Sequence, residues 1–292
     1  MSKPIAIIAG EPNGIGSEII FKSWLLRNKY QHKSFFVIGN VKLLNKQKKK
    51  LKYKIKIKEI NIDSFNKKNL KDDHLLVYNV DYRQKKSFEK ISSSSNNYIL
   101  ECFDIAIKLA LQKKIIGMIN CPVSKEFLFK KKHQGITEFL STKTARKGNE
   151  VMLIYNKSLS VSPITTHIAL KKVSSKIKKN NIIKKIKIIE IFYKKIFKFK
   201  PKFGILGLNP HNFVHSKKTE ESTIISKAIS KLKKMKINVS GPIPTDSSFM
   251  IQNKSNFDVI IGMYHDQVLT PFKALYNYQA INITLGLPFI RV

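Results

Sequence analysis

The feature that most narrows the fold of this chain is an alternation. Short runs rich in isoleucine and valine are separated by longer stretches with helical periodicity. The apolar runs fall at 5–9, 35–38, 75–80, 115–119, 151–154, 203–208, 259–262 and 281–285. Their length and β-branched content suit strands rather than helices. Between them, Ile182, Ile186, Ile189, Tyr193 and Ile196 recur at spacings of four and three, so they share one helix face, with lysines opposite. A second helix is expected over about 98–112, after a serine and asparagine run at 92–97 that reads as a loop. The segments 46–58 and 171–200 look like low complexity, although the second keeps a helical period. Strands alternating with helices predict an α/β fold with a largely parallel sheet, in which ligands collect where strand C-termini run into loops.

Length and composition bound the rest. A chain of 292 residues, 42% hydrophobic, can build one large or two modest domains. Cys102 and Cys121 cannot make a disulfide framework for that length, which points to a reducing, intracellular setting. The first apolar run ends at Gly10, and no apolar stretch approaches the roughly 20 residues of a membrane helix. A soluble, cytoplasmic protein with no membrane partner is expected. The charge is unusual, with 55 Lys plus Arg against 19 Asp plus Glu and a formal net charge of +36. The excess is nearly all lysine, spread along the chain with isoleucine and asparagine, as a coding sequence rich in A and T produces. Arginine, the residue of bidentate phosphate and base contacts, is scarce. Nucleic acid is therefore not expected as a partner, while a cationic surface can steer phosphorylated substrates.

Three of the seven histidines share a context. His211 and His265 follow directly from strand-like runs, and His167 sits in a short β-branched segment. All three could stand at strand ends on the site-bearing edge. Neutral imidazoles converging on one point suit Zn²⁺ or a similar divalent ion, although each taken singly also reads as a hydrogen-bonded structural histidine. The other four, His32, His74, His133 and His215, lie in lysine-rich or loop-like surroundings. The segment GEPNGIGSE (10–18) links a strand to a helix but matches neither G-x-G-x-x-G nor a P-loop. Lys273 and Arg291 flank a segment containing Asn282, so cationic and amide donors could jointly grip a phosphate or carboxylate. Asp246, in a proline-framed loop, reads equally as a helix N-cap and as a site acid or base.

The blocks GEPNGIGSE (10–18), NCPVSKE (120–126), GITEFL (135–140), TTHIAL (165–170), GLNPH (207–211), GPIPTD (241–246), MYHDQ (263–267) and GLPFIR (286–291), in this order, resemble the 4-hydroxythreonine-4-phosphate dehydrogenase family. The resemblance covers the chain from first strand to last residue, and GLNPH and MYHDQ are its most specific parts. It places His167, His211 and His265 on the family's metal ligands, and Thr137, Lys273, Asn282 and Arg291 on its substrate-binding positions. It implies an isocitrate dehydrogenase-like α/β fold: two subdomains around a cleft, without a standard Rossmann site. The whole chain would form one family unit, with subdomains at roughly 1–125 plus 265–292, and 126–264. It further implies a homodimer sharing its metal site across the interface. The implied cofactors are NAD and a divalent metal, zinc first, with magnesium or cobalt as alternatives. The implied reaction is oxidation of 4-phosphooxy-L-threonine to 2-amino-3-oxo-4-phosphooxybutanoate, which decarboxylates to 3-amino-2-oxopropyl phosphate in pyridoxal phosphate synthesis. Within that frame Asp246 is the first candidate for proton transfer and Asp266 the second.

Three departures from the family pattern stand out. Ile136 replaces a substrate-binding histidine and cannot donate a hydrogen bond to phosphate. The loop after His211 lacks its usual glycines. The family continues beyond the position of Val292, which reads as a truncated C-terminus. Ile136 keeps open a sibling dehydrogenase acting on 4-phospho-D-erythronate or D-threonate 4-phosphate. Phosphate acyltransferases, which share the overall fold, would not need the three histidines. A nucleic-acid binder would rest on charge alone.

Overall fold

All eight apolar runs become strands, and with four further strands among the described residues they assemble into two compact units. The computed structural model describes residues 3–30, 34–61, 73–129, 135–213, 218–250 and 256–292, which leaves His32, His133 and His215 outside. The first unit comprises Met1–Phe139 and Pro288–Val292, and the second Leu140–Leu287.

In the first unit, strands β1 (Ile5–Ile8), β2 (Phe35–Gly39), β3 (Lys56–Glu59), β4 (His74–Asn79) and β5 (Gly117–Asn120) are joined by the chain's last strand, β12 (Ile290–Arg291). Their order is β3-β4-β2-β1-β5-β12, and every pairing is parallel. Helices α1 (Gly16–Leu25), α2 (Val41–Lys50) and α3 (Asn96–Leu111) supply crossovers that parallel pairing requires, and α4 (Lys125–Phe129) follows β5. Asn40 starts α2 by accepting the Leu43 N–H at 2.8 Å. One face of the sheet packs Ile7, Val37, Leu75 and Val77 against Phe21 and Trp24 of α1. The lysine-rich segment 46–58 is not low complexity: it holds the end of α2 and all but the last residue of β3. Strand β3 lies at the sheet edge, where exposed lysines discourage pairing with another chain.

The second unit contains β6 (Val151–Tyr155), β7 (Ser160–Pro163), β8 (Phe203–Leu206), β9 (Val239–Ile243), β10 (Val259–Gly262) and β11 (Ile281–Leu285) in the order β11-β6-β7-β10-β8-β9. Strands β7, β10, β8 and β9 run parallel, while β6 is antiparallel to both neighbours. Helix α5 (Ile136–Lys143) leads into this unit. Then follow α6 (Val173–Lys176), α7 (Lys179–Ile196), α8 (Ser226–Lys234), α9 (Thr245–Ser248) and α10 (His265–Tyr276). Helix α7 buries Ile182, Ile186, Ile189 and Tyr193, each residue stabilising the fold by roughly 1.5–3 kcal/mol. Ile196, in the final turn, stays 40% exposed.

The two units divide the chain at 139/140 and 287/288. Strand β11 explains the later boundary, because it pairs with β6 from Ile281 opposite Tyr155 to Leu285 opposite Val151. Helix α10 adds Val268, Leu269 and Phe272 to a core with Leu159, Val161, Leu206 and Ile260. No helix among the described residues is long and apolar enough to cross a membrane.

Candidate functional site

In the second unit, parallel pairing brings the ends of β7, β10, β8 and β9 to one edge, side by side. Shortly after these ends come His167, His265, His211 and Asp246. Residues far apart in sequence thus share one edge because their strands are neighbours about 4.8 Å apart.

The rings of His167 and His265 have centroids 6.0 Å apart. Bonds of about 2.0–2.1 Å from one cation to a nitrogen of each ring would leave the rings roughly 5–6 Å apart, so this pair fits a shared divalent ion. His265 Nδ1 lies 2.7 Å from Asp266 Oδ1. With the carboxylate accepting that N–H, the lone pair faces outward on Nε2, the tautomer a metal ligand needs. His211 turns to Asp246 instead, with Nδ1 3.6 Å from Oδ2. Among the described residues no group of three or more His, Cys, Asp or Glu side chains is placed to enclose a metal. Within one chain, two of the imidazoles lie near each other and the third approaches the Asp246 carboxylate.

The His211 loop is shaped by two residues in the left-handed region, His211 at φ 49° and Asn212 at φ 58°. Its base is closed by Glu221, which is 3% exposed and accepts the Leu208 and Asn209 N–H groups at 2.7 and 2.8 Å. Burial works against the Glu221 charge, yet the donors of Asn209 and Leu208 hold its carboxyl below the usual range. A Cβ at Gly207 would stand 2.1 Å from Asn212 Oδ1, so any larger residue here would displace the Asn212 side chain. Glu221 also opens a π-helical turn, Glu221–Ile225, a distortion often found beside functional sites. The β7 end is fastened to the β10 end: Thr165 donates to the Met263 carbonyl through its N–H at 3.1 Å and its hydroxyl at 2.7 Å.

Asp246 lies in the first turn of α9, where Oδ1 accepts the adjacent Ser247 N–H and Oδ2 faces His211. It therefore serves a helix start and the site edge together. Lys273 is exposed on α10, and Asn282 is exposed near the start of β11, opposite Ile154. Both belong to the second unit. Thr137 and Arg291 belong to the first. Arg291 is 9% exposed and donates from Nε and Nη2 to Asn120 Oδ1 at 2.9 and 2.7 Å. Burial lowers its guanidinium from the usual value, and the charge of Glu138 works the other way. Ile136 is 8% exposed, a core residue.

Sequence reasoning missed Asn120, Thr165, Glu221 and Gln267. Each is a polar residue whose role depends on a partner distant in sequence. The one available signal was that all but Glu221 lie in the distinctive blocks.

Residues 31–292 match the family described as the pyridoxal phosphate biosynthetic protein PdxA. The chain is 36% identical to a 4-hydroxythreonine-4-phosphate dehydrogenase of Sulfurihydrogenibium sp., over 98% of this chain and 88% of that protein. It is 30% identical to the D-threonate 4-phosphate dehydrogenase of Salmonella typhimurium, over 99% of this chain and 89% of the relative. Among solved structures, 4-hydroxythreonine-4-phosphate dehydrogenase from Klebsiella pneumoniae is similar with a TM-score of 0.87 at 27% identity, covering 99% of this chain and 90% of that one. These matches span nearly the whole chain, and on that ground the chain belongs to the PdxA family.

Proposed function

We propose that this chain is an NAD-dependent, divalent-metal-dependent dehydrogenase in pyridoxal phosphate synthesis. It oxidises the C3 hydroxyl of 4-phosphooxy-L-threonine to 2-amino-3-oxo-4-phosphooxybutanoate, which loses CO₂ to give 3-amino-2-oxopropyl phosphate. The observation that carries this reading is the shared edge of β7, β10, β8 and β9, with His167 and His265 ring centroids 6.0 Å apart. His167, His211 and His265 would hold the ion, zinc before magnesium or cobalt. When bound, such an ion lowers the pKa of a hydroxyl and polarises the ketone it becomes, while NAD takes the hydride. The chain's own residues do the rest. Asp266 keeps the proton on His265 Nδ1. Asp246, beside His211, receives the hydroxyl proton. Lys273 and Arg291 would bind anionic groups of the substrate, and Thr137 and Asn282 are the other substrate-binding positions in this reading. The family resemblance makes a homodimer, with a second copy completing the metal site, part of this reading. A cytoplasmic location suits the two buried, unpaired cysteines.

A second reading, oxidation of D-threonate 4-phosphate, is supported by the 30% identity to the D-threonate 4-phosphate dehydrogenase of Salmonella typhimurium, and Ile136, buried where the family resemblance calls for a substrate-binding histidine, keeps it open. One assay decides between them. NADH formation is followed with 4-phosphooxy-L-threonine, D-threonate 4-phosphate and 4-phospho-D-erythronate, with and without chelator, for the native chain and for Ile136→His. Chelator-sensitive turnover fastest with 4-phosphooxy-L-threonine supports the first reading. Turnover that is indifferent to chelator removes the metal from it.

A further inference from the structure

We infer that Gln267 is the positioning residue that sets the four site-bearing strand ends in register. This inference rests on the reading of His167, His211 and His265 as metal ligands. Gln267 is 5% exposed in the first turn of α10, two residues beyond His265. Its Oε1 accepts the Met263 N–H at 2.6 Å. Its Nε2 donates to the Gly207 carbonyl at 2.7 Å and to Thr245 Oγ1 at 2.8 Å. Met263 follows β10 and leads to His265, and Gly207 follows β8 and leads to His211. Thr245 immediately precedes Asp246. The Met263 carbonyl takes both hydrogen bonds of Thr165, two residues before His167. One primary amide therefore joins three of the four loops directly and reaches the fourth through a single intermediate residue.

The chemistry explains why a glutamine is needed. The position calls for one acceptor toward Met263 and two donors toward Gly207 and Thr245, all from a single planar group. Glutamine supplies that set, glutamate lacks the donors, methionine lacks both, and asparagine is one methylene short. Buried strand-end polar groups with no such partner would seek other bonds, and the loops would shift with them. Residues that hold metal ligands from behind typically change metal affinity about 10–100-fold when removed.

The test uses the full chain and Co²⁺ as the probe, measured by calorimetry and by visible absorption of the bound ion. Wild type, His265→Ala, Gln267→Met, Gln267→Glu and Phe272→Leu are compared, each with its thermal midpoint. Phe272 is a core residue of the same helix that touches none of the four loops through hydrogen bonds. The inference predicts a Co²⁺ dissociation constant raised about 10–100-fold in Gln267→Met, a smaller rise in Gln267→Glu, and none in Phe272→Leu despite a lower midpoint. If Gln267→Met fails to fold, Gln267→Glu decides. Glutamine variants that bind Co²⁺ like wild type overturn the inference alone, as does a Phe272→Leu loss equal to theirs. Wild type that binds no Co²⁺, or binds it equally well as His265→Ala, overturns the metal reading and this inference with it.

Discussion

Glu221 offers a direct measure of what holds the His211 loop. Its carboxylate accepts the Leu208 and Asn209 N–H groups at 2.7 and 2.8 Å, and the Asn209 side-chain amide as well. In Glu221→Ala both part-buried backbone donors lose their acceptor. At about 1–3 kcal/mol each, the loss is on the order of 2–6 kcal/mol. Glu221→Gln keeps one oxygen for the two N–H groups but gives up the charge, which costs roughly 1–2 kcal/mol. For a folding unit of this size, each kcal/mol moves the thermal midpoint by roughly 2–4 °C. The alanine variant should thus lose on the order of 10 °C and the glutamine variant on the order of 5 °C. The sign with pH follows from the lowered carboxyl pKa. Its contribution is present above the unfolded value of about 4.3 and is lost as pH falls through the folded value, so wild type and Glu221→Gln should converge in acid. Calorimetry gives the midpoints, and amide hydrogen exchange at Leu208 and Asn209 reports the loop. Equal losses for alanine and glutamine, or unchanged exchange at those two amides, would refute the argument.

Two further outcomes follow from the fold. Gly286 sits at φ 83°, and a Cβ there would lie 1.9 Å from the Asn149 carbonyl oxygen, so Gly286→Ala should destabilise by more than about 1 kcal/mol and loosen β11 from β6, visible in its midpoint and in exchange along β11. Burial pushes both Cys102 and Cys121 up to about 12. Because the folded value is raised, the stability these thiols contribute is complete below about pH 8.5 and is lost as pH rises toward the folded value. Mass spectrometry after iodoacetamide treatment at pH 8 should find both unmodified in the native protein and modified in urea. Rapid native modification of either would contradict its burial.

The parts of the fold legible in sequence were those with a single strong signal. β10 and β11 match their apolar runs residue for residue, and α7 follows its isoleucine stripe to Tyr193. Strands β7 and β9 were not legible, because Ser160, Ser162 and Ser240 break the apolar pattern. Ser160 tolerates burial because Tyr193 shares a hydrogen bond with it across the helix–sheet contact at 2.8 Å. Only the residue types of the candidate site and their order were readable in the sequence. The site's geometry was not, since the pairing of His265 with Asp266 and of His211 with Asp246 depends on side-chain direction and loop shape. Unit boundaries were set by β11 bonding to β6, a long-range choice that local pattern does not announce.

Strand β10 is inserted between β7 and β8, both of which precede it in the chain. During synthesis, the gap between them stays open until residue 259 has left the ribosome. At about 5–20 residues per second, that delay after β7 is roughly 5–20 s, during which two strand edges are unsatisfied. A ribosome stalled or a message cut in that interval would release a chain ready to accept a foreign strand in place of its own. A chaperone that shields bare strand edges should therefore raise the soluble yield of this protein more than added substrate or metal does.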